Sequence, residues 1–483
     1  MSPPHNETCP AAFIVDDGLP SLSDAPGTLT RSFMQRVRRK RIMMLSLVGL
    51  TAFLALLAVV RGTYHITIDE LLGADTLGRI MFGSGALPVG IITSFMGAPM
   101  FLYLLIRSKG TPNQKTAEQK KTMKFKSVLG LLLVLIISAA NVEGMIVKDM
   151  AGRPVSLTTQ PQRIVCIGPG ALRLIVYLEA QNMLVGVESM EKQHPAGRPY
   201  WIAQPHLQAL PVIGPGGSGA INKKPDMEAV LRVAPDLIVA TYMETAMADE
   251  VSGTLGIPVV VLSYGELAVF DQRVFDSLRL AGKILNREAR ADAVIDFING
   301  IRTDLDRRTA DVSDQLPVKV FVGGIGYRGS QGIESTQRDY IPLDWNHTVN
   351  AAQQVQATVG SHVMVDKEIL LELDPDVIFI DGGGLDLVKA DYRRKPDFYR
   401  ALTAFREGRI YALFPFNHYT TNIDTAMADA YAIGKVLYPR RFADVDLVRQ
   451  ADSIYTFLVG HAVAGRMQAD FAPLGQPIAF DEK

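Results

Sequence analysis

With 483 residues, the chain is too long to fold around one hydrophobic core, and its length predicts two or three compact units. Its 49 Lys and Arg residues nearly balance 50 Asp and Glu residues, which argues against a polyanionic partner such as a nucleic acid. The two cysteines, Cys9 and Cys166, are too few for a disulfide framework or a cysteine metal site. Cys166 lies in an apolar run and is expected to be a small buried hydrophobe.

Three apolar stretches precede residue 145. Residues 42–60 and 87–106 are each long enough to cross a bilayer as a helix, whereas residues 128–140 form a shorter run. Basic residues are concentrated before the first stretch and between the second and third, so the positive-inside rule predicts a cytoplasmic N-terminus. The same rule predicts that everything after the third stretch lies outside the cytoplasm.

Residues 123–144 carry the features of a signal peptide. Two lysines follow Met123, residues 129–137 form an apolar core, and Ser138-Ala139-Ala140 is a small-x-small cleavage site. A signal peptide in mid-chain indicates either that two reading frames have been joined or that Met123 is the true start. Cleavage near Ala140 would release a soluble periplasmic protein, and no cysteine stands directly after the apolar core to carry a lipoprotein anchor.

The N-terminal part also carries a family likeness. Its basic cluster, its first apolar span and the segment 64–72 resemble the first transmembrane and periplasmic segments of iron-siderophore/vitamin B12 permeases. Residues 87–105 resemble the final conserved stretch of that family. The helices between these segments have no counterpart, so the resemblance implies a permease remnant that anchors the protein in the membrane without transporting anything itself. The alternative is a gene-fusion scar.

From Met145 onward, short β-branched runs alternate with helical periodicity, a pattern typical of βα units around parallel sheets. Glycine and proline clusters separate these runs. The fold class is therefore predicted to be α/β. The predicted strands are Arg163–Ile167, Leu184–Val187, Leu237–Ala240, Pro258–Leu262, Val318–Val322, Val377–Ile380 and Arg409–Leu413.

An internal repeat predicts two lobes. Glu228 opens a helix that Pro235-Asp236 ends, and a buried strand follows. Glu368 and Pro375-Asp376 repeat this pattern about 140 residues further on. Two similar lobes imply a cleft between them, and such clefts are where ligands bind.

A long helix is predicted between the lobes. Residues 276–310 are nearly free of Gly and Pro after Gly282, with Asn286 as the predicted cap and Glu288 in the first turn. One connecting helix would be stiff and would disfavour a large domain closure. The predicted organisation is a cytoplasmic segment (1–41), the permease-like remnant with two transmembrane helices (42–122), the signal-like hydrophobic segment (123–144), an N-terminal lobe (145–275), the interlobe helix (276–310) and a C-terminal lobe with its tail (311–483).

Over roughly residues 145–460 this layout resembles the helix-linked periplasmic binding proteins of ABC importers for iron-siderophores, haem and cobalamin. The resemblance is carried by residues 149–155, residues 163–165, the two Glu–Pro-Asp helices and residues 323–329. It implies two Rossmann-like lobes that capture an iron chelate or related metal complex and deliver it to an ABC permease with its ATPase. It also implies that Glu228 and Glu368 dock onto permease arginines. The competing explanation is simple stabilisation of two helix N-termini.

The ligand-binding candidates lie in loops after predicted strands. The amides of Gly168-Pro169-Gly170 could face an anionic group, or this segment is only a tight turn. In a glycine-rich loop, Tyr327 and Arg328 could meet carboxylate or catecholate oxygens. His418 and its neighbours Asn417 and Tyr419 could bind the ligand or form a polar surface loop. Three further aromatic residues could stack on a chelate or be core or rim residues: Tyr242, Tyr264 and Trp345.

Other classes of function find little support. Residues 324–329 fit the G-x-G-x-x-G string, but another glycine and no clear helix follow, which argues against a dinucleotide site. The histidines are scattered, and neither a nucleophile elbow nor a Walker loop occurs, so no catalytic residue, bound metal or cofactor is predicted. The prediction is a binding protein at the cytoplasmic membrane, with its lobes on the periplasmic side. A rival is a membrane-anchored sensor or non-transporting fusion, and haem and cobalamin remain open as ligands behind a siderophore-type chelate.

Overall fold

A computed structural model describes residues 144–265, 272–311, 318–356 and 360–480. The predicted cytoplasmic segment, both predicted transmembrane helices and most of the signal-like segment lie outside the described residues. Among the helices of the described ranges, none is both long and apolar enough to cross a membrane.

The strands form two parallel four-stranded sheets and two short antiparallel pairs. Each predicted strand is present, with its ends within one residue of the predicted ones. The strands are β1 (Met145–Lys148), β2 (Pro154–Leu157), β3 (Ile164–Ile167), β4 (Leu184–Gly186), β5 (Leu237–Thr241), β6 (Val259–Leu262), β7 (Lys319–Gly323), β8 (Ser335–Gln337), β9 (Val349–Asn350), β10 (His362–Met364), β11 (Val377–Asp381) and β12 (Ile410–Leu413).

Helices and short helical turns connect the strands. The helices are α1 (Ala171–Tyr177), α2 (Ser189–Gln193), α3 (Pro199–Ala203), α4 (Met227–Val233), α5 (Thr245–Leu255), α6 (Gln272–Leu285), α7 (Glu288–Thr309), α8 (Ile341–Asp344), α9 (Lys367–Leu373), α10 (Leu385–Arg394), α11 (Pro396–Ala401), α12 (Thr403–Arg406), α13 (Ile423–Leu437), α14 (Leu447–Val459) and α15 (Ala464–Asp470).

The two parallel sheets have the same topology, which confirms the predicted α/β fold with two similar lobes. The N-terminal sheet has the order β4-β3-β5-β6, and the C-terminal sheet has the matching order β9-β7-β11-β12. Strands β3, β5, β6 and β11 consist largely of Val, Ile and Leu and are buried along their whole length. Such runs are expected for parallel strands covered by helices on both faces.

The connection between the lobes differs from the single helix predicted over residues 276–310. It consists of α6 and α7, and Asn286 between them has a φ of 56°. Asn286 therefore ends α6 in a left-handed conformation instead of capping the long helix. The residue before α7 is Arg287, whose side chain makes no capping bond, while Glu288 is in the first turn as predicted.

Helix α7 has 22 residues and is about 33 Å long at 1.5 Å per residue. Near its start, Nε of Arg290 donates to the carbonyl of Tyr177 in α1 at 2.9 Å. Near its end, Nη1 of Arg308 lies 2.7 Å from the Asp444 carboxylate, in the segment between α13 and α14. A single apolar cluster also contains residues of both sheets together with Ile298 of α7. The lobes are therefore packed through one continuous core.

Candidate functional site

The candidate site lies where the loops that follow the two parallel sheets meet. Ligands of open α/β sheets bind beyond the carboxyl ends of the strands. From the N-terminal lobe come the loops after β3, β4, β5 and β6, and from the C-terminal lobe come those after β7 and β12. The C-terminal contribution is dominated by residues 417–422, which we call the cleft loop. Hydrogen bonds join the cleft loop directly to the N-terminal lobe.

The turn after β3 is held tightly against its neighbours. Gly168 and Gly170 have φ values of 89° and 83°. A Cβ atom on Gly168 would lie 2.6 Å from the carbonyl oxygen of Thr241, and one on Gly170 would lie 2.4 Å from Cε2 of Tyr264. The Gly168 amide donates to the Glu188 carboxylate at 3.2 Å, and the Pro169 carbonyl accepts from Oγ1 of Thr241 at 2.7 Å. These polar groups are used within the protein, as expected for a tight turn.

Glu188 and Tyr419 connect the lobes across the cleft. The Tyr419 hydroxyl donates to Oε2 of Glu188 at 2.5 Å and accepts from the Gly217 amide at 3.1 Å. Burial raises the pKa of Glu188 to about 7, while the hydrogen bonds from Tyr419 and the Gly168 amide act in the opposite direction. Tyr419 was predicted as a site residue, whereas Glu188 was missed. The signal for Glu188 in the sequence was its position directly after the predicted strand Leu184–Val187.

Arg173 is a second connection that was not predicted from the sequence. It lies in α1 and is fully buried. Its Nη1 donates to the carbonyl of Thr421 at 2.7 Å, and its Nη2 donates to Oδ1 of Asn422 at 2.5 Å. Nη1 also donates to the Tyr264 hydroxyl at 3.2 Å. A lone arginine among the apolar residues of α1 was the signal in the sequence, because a buried charge needs partners.

His418 and Asn417 lie on the same cleft loop. Nδ2 of Asn417 donates to the carbonyl of Gly326 at 2.7 Å, which ties the loop after β12 to the loop after β7. Burial lowers the pKa of His418 to about 3, and the positive charges of Arg198 and Arg173 act in the same direction. The imidazole is therefore neutral at physiological pH. Its Nδ1 atom is buried without a hydrogen-bond partner among the described residues.

Tyr327 and Arg328 form an accessible part of the C-terminal lobe. The Tyr327 ring stacks on His362 with ring centroids 4.0 Å apart. Arg328 is exposed, and its guanidinium carbon lies 5.5 Å from the Tyr327 ring centroid. The glycine-rich loop that holds them leads to strand β8 and not to a helix. A dinucleotide site, which needs a helix N-terminus at that point, therefore has no structural support.

The three other aromatic candidates have different positions. The Tyr242 hydroxyl lies 3.1 Å from Oγ1 of Thr420 on the cleft loop, so Tyr242 belongs to the cleft. Tyr264 is buried behind Gly170 and beside Arg173. Trp345 follows α8 and lines a separate cavity of about 430 Å³ with residues of α6 and α7.

Glu228 and Glu368 occupy equivalent positions in the two lobes. Each is exposed in the first turn of its helix, α4 or α9, which leads directly into β5 or β11. Within the described ranges, neither carboxylate forms an ion pair with a neighbouring side chain. The same parts of the chain contain no group of three His, Cys, Asp or Glu side chains that could hold a metal ion.

Comparison with known proteins agrees with this architecture. A model of the periplasmic binding protein family matches residues 164–415, and a model of the FecCD transport family matches residues 63–107. The chain is 25% identical over 357 residues to the molybdate-binding protein MolA of Haemophilus influenzae, a match that covers 69% of this chain and 96% of MolA. The N-terminal match includes the vitamin B12 import permease BtuC of Klebsiella pneumoniae, at 48% identity over 42 residues. That match covers 9% of this chain and only 13% of the permease.

Two solved structures show the same fold. MolA bound to molybdate superposes with a TM-score of 0.53 at 21% identity, over 66% of this chain and 98% of MolA. A periplasmic solute-binding protein of Veillonella parvula gives a TM-score of 0.55 at 18% identity, over 69% and 98% of the two chains. The matched relatives of the two lobes are solute-binding proteins. The chain belongs to the periplasmic binding protein family of ABC importers and carries a short permease-like remnant in its N-terminal part.

Proposed function

We propose that the two lobes capture a compact oxyanion of the molybdate and tungstate class outside the cytoplasm and deliver it to an ABC permease. The observation that carries this proposal is the direct contact of the lobes at the cleft. Tyr419 reaches Glu188 at 2.5 Å, and Arg173 reaches Asn422 at 2.5 Å. Loops that are already this close leave room for a compact ligand more readily than for a large chelate.

The chemistry of the groups around the cleft supports the same ligand class. Arg328 presents an exposed guanidinium, whose fork of N–H donors suits oxyanions. Beside Arg328, Tyr327 adds its hydroxyl group. His418 adds a neutral imidazole whose buried Nδ1 is free of protein partners within the described residues. The relative MolA, matched along 96% of its length, is named for molybdate.

An iron chelate of the siderophore type is the second candidate ligand. The pair of half-buried Tyr327 and exposed Arg328 favours it, because a stacked aromatic ring and an arginine fork can meet the rings and oxygens of a catecholate chelate. Such a ligand would sit over the rim of the C-terminal lobe and would separate the cleft loop from the N-terminal lobe. Haem and cobalamin would require the same separation.

A titration of the purified full-length protein tests the ligand proposal. Molybdate, tungstate, sulfate, ferric siderophores, haem and cobalamin are each added, and binding is followed by calorimetry and by thermal unfolding. Saturable binding of molybdate or tungstate supports the oxyanion proposal. If only ferric siderophores bind, the oxyanion proposal is wrong and the ligand is an iron chelate. If sulfate binds as tightly as molybdate, the site is not selective for the molybdate class.

Delivery is proposed to use Glu228 and Glu368 as docking carboxylates for basic residues of the permease. Both are exposed, and they occupy the same position in the two structural repeats. Replacing both with alanine should abolish ligand uptake by cells while leaving the ligand affinity unchanged. Unchanged uptake would instead favour the alternative of a sensor or non-transporting fusion that keeps ligand binding.

The N-terminal part is proposed to tether the binding lobes to the cytoplasmic membrane. The proposal rests on the apolar stretches 42–60 and 87–106, the basic residues around them and the permease match at residues 63–107. Cleavage near Ala140 would release the lobes as a soluble periplasmic protein. Fractionation of the host cell, with N-terminal sequencing of the protein, separates these two outcomes.

A further inference from the structure

Two exposed leucines accompany the proposed docking carboxylates. Leu231 lies three residues after Glu228 in α4, and its side chain is 53% exposed. Leu371 lies three residues after Glu368 in α9, and its side chain is 38% exposed. Residues three positions apart on a helix are neighbours on one face. Each lobe therefore presents a carboxylate and a leucine side by side to solvent.

The two helices match around the exposed leucines and at their ends but not throughout, since Ala229 is buried whereas its counterpart Ile369 is 37% exposed. Val230 and Leu370, one residue before the exposed leucines, are both fully buried. At the end of each helix, Ala234 and Asp374 adopt the left-handed conformation with φ values of 45° and 31°. The exposed leucines therefore have the same register in both repeats, and their exposure is a shared property of the two lobes.

The start of the following strand is fixed in the same way in both lobes. The carboxylate of Asp236 accepts from the Arg163 amide at 2.9 Å, just before β3. The carboxylate of Asp376 accepts from the Lys319 amide at 2.9 Å, at the start of β7. The side chains of Arg163 and Lys319 also donate to the last carbonyls of the two helices, at Val233 and Leu373, both at 2.6 Å, so each helix end is anchored to its sheet in the same way.

We propose that Leu231 and Leu371 are apolar anchors with which the two lobes bind equivalent surfaces of a paired permease. The inference rests on the proposed delivery to a permease, and it assigns an apolar contact beside each docking carboxylate. Protein–protein interfaces bury apolar side chains at their centre and keep charged side chains at the rim. Two copies of one patch fit a partner that presents one basic and apolar surface twice, as a dimer of identical subunits does. The match of residues 63–107 to the FecCD transport family places a permease-like segment in this same chain.

Photo-cross-linking of the full-length protein in its host tests the inference. A photoreactive phenylalanine derivative replaces Leu231, Leu371 or, as the control, Val448, whose side chain is also 38% exposed. The expected product from both leucine positions is an adduct with a permease subunit, identified by mass spectrometry, and no such adduct from the control. Adducts with a second copy of this chain or with lipid, or no adduct, would overturn the inference.

Substitution gives an independent measurement. The double variant Leu231→Ser and Leu371→Ser should recover about tenfold less of that permease subunit in a pull-down from host membranes, equivalent to about 1.4 kcal/mol. The control Val448→Ser should recover the wild-type amount. If the double variant Glu228→Ala and Glu368→Ala abolishes recovery of the permease subunit and the leucine variant does not, docking through the carboxylates is supported and the role of the leucines is contradicted. If the adducts form but no oxyanion or chelate binds, the proposed function fails and the anchors stand.

Discussion

The hydroxyl of Tyr419 donates to Oε2 of Glu188 at 2.5 Å, and this bond joins the C-terminal lobe to the N-terminal lobe. The two residues are 231 positions apart in the chain. Each follows a strand of its own sheet, so the bond exists only because the carboxyl ends of both sheets face the same cleft. Any ligand that enters between these loops must keep this bond or replace it.

Replacing Tyr419 with phenylalanine removes the donor and leaves a buried carboxylate with fewer partners. We expect the free energy of unfolding to fall by about 1–3 kcal/mol, the usual cost of an unsatisfied buried group. Urea unfolding of the full-length protein, followed by tryptophan fluorescence, measures the change. Tyr242→Phe is the matched control: it removes a neutral bond to Thr420 across the same cleft and should cost about 0.5–1.5 kcal/mol. Equal effects of the two substitutions would contradict a special role for Glu188.

Glu188 should make the stability depend on pH. Burial raises its pKa to about 7 from the ordinary 4.5, so the folded protein holds a proton that the unfolded chain releases in this interval. The free energy of unfolding therefore contains a contribution that is complete below pH 4.5 and is lost as the pH rises through 7. The loss is up to about 3 kcal/mol, at 1.36 kcal/mol for each unit of pKa.

Glu188→Gln should remove this contribution. Unfolding of the wild type and the variant at intervals from pH 4.5 to 8 measures the difference in slope, which should correspond to about one proton at most. The stability of the variant should still depend on pH to some extent, because burial also raises the pKa of Asp381 to about 7. Parallel curves for the two proteins would show that Glu188 stays ionised in the folded state.

Much of the fold could be predicted from the sequence, because periodicity reports burial. The strands of both sheets are short β-branched runs, and the repeated Glu–Pro-Asp pattern marks α4 with β5 and α9 with β11. The interlobe connection was predicted less well. Asn286 was interpreted as a helix start, but its left-handed backbone makes it the end of α6. Asparagine suits both positions, and only the tertiary packing of α6 against α7 distinguishes them.

The site was predicted only in part, because residues far apart in the chain complete it. Tyr419, His418 and Asn417 were predicted from their place after β12, because loops often carry function. Arg173 was passed over because it lies within an apolar helix, where periodicity predicts only core packing. Trp345, for which stacking on a ligand and a core or rim position were both left open, lines a cavity beside α6 and α7. No local pattern distinguishes these cases.

Arg173 should be essential for the integrity of the cleft. Its guanidinium donates to Thr421 and Asn422 and lies in the field of the buried Asp424. Arg173→Met keeps the length of the side chain but leaves these groups without their cation, so we expect a loss of about 3–5 kcal/mol in the free energy of unfolding. Arg279→Met, at a half-exposed ion pair on α6, should cost no more than about 1 kcal/mol. A small loss at position 173 would show that the cleft loop is held by other contacts.

Arg328 should contribute to ligand affinity without contributing to stability. Its side chain is exposed, and Arg328→Ala should weaken molybdate binding about tenfold, the loss of one charge-assisted contact. Calorimetry on the full-length protein measures the dissociation constant, and the thermal unfolding midpoint without ligand should not change. Arg338→Ala removes a half-exposed arginine of the same lobe and should leave the affinity at the wild-type value. If both substitutions weaken binding equally, the effect is one of net charge and not of the Arg328 contact.

Gly170 links the turn after β3 to both sides of the cleft, and its substitution tests how tightly they are packed. A Cβ atom there would lie 2.4 Å from Cε2 of Tyr264 and 2.7 Å from Cγ2 of Thr420, and the φ of 83° is unfavourable for any L side chain. We expect Gly170→Ala to lower the free energy of unfolding by at least about 2 kcal/mol, through backbone strain and overpacking. Gly219→Ala is the control, because a Cβ atom added there would have no other atom within 4 Å. Since Tyr264 also bonds to Arg173, the Gly170 variant should lose ligand affinity together with stability. A variant that keeps both would show that the cleft loop can move away from α1 at little cost, and the direct contact of the lobes would no longer limit the size of the ligand.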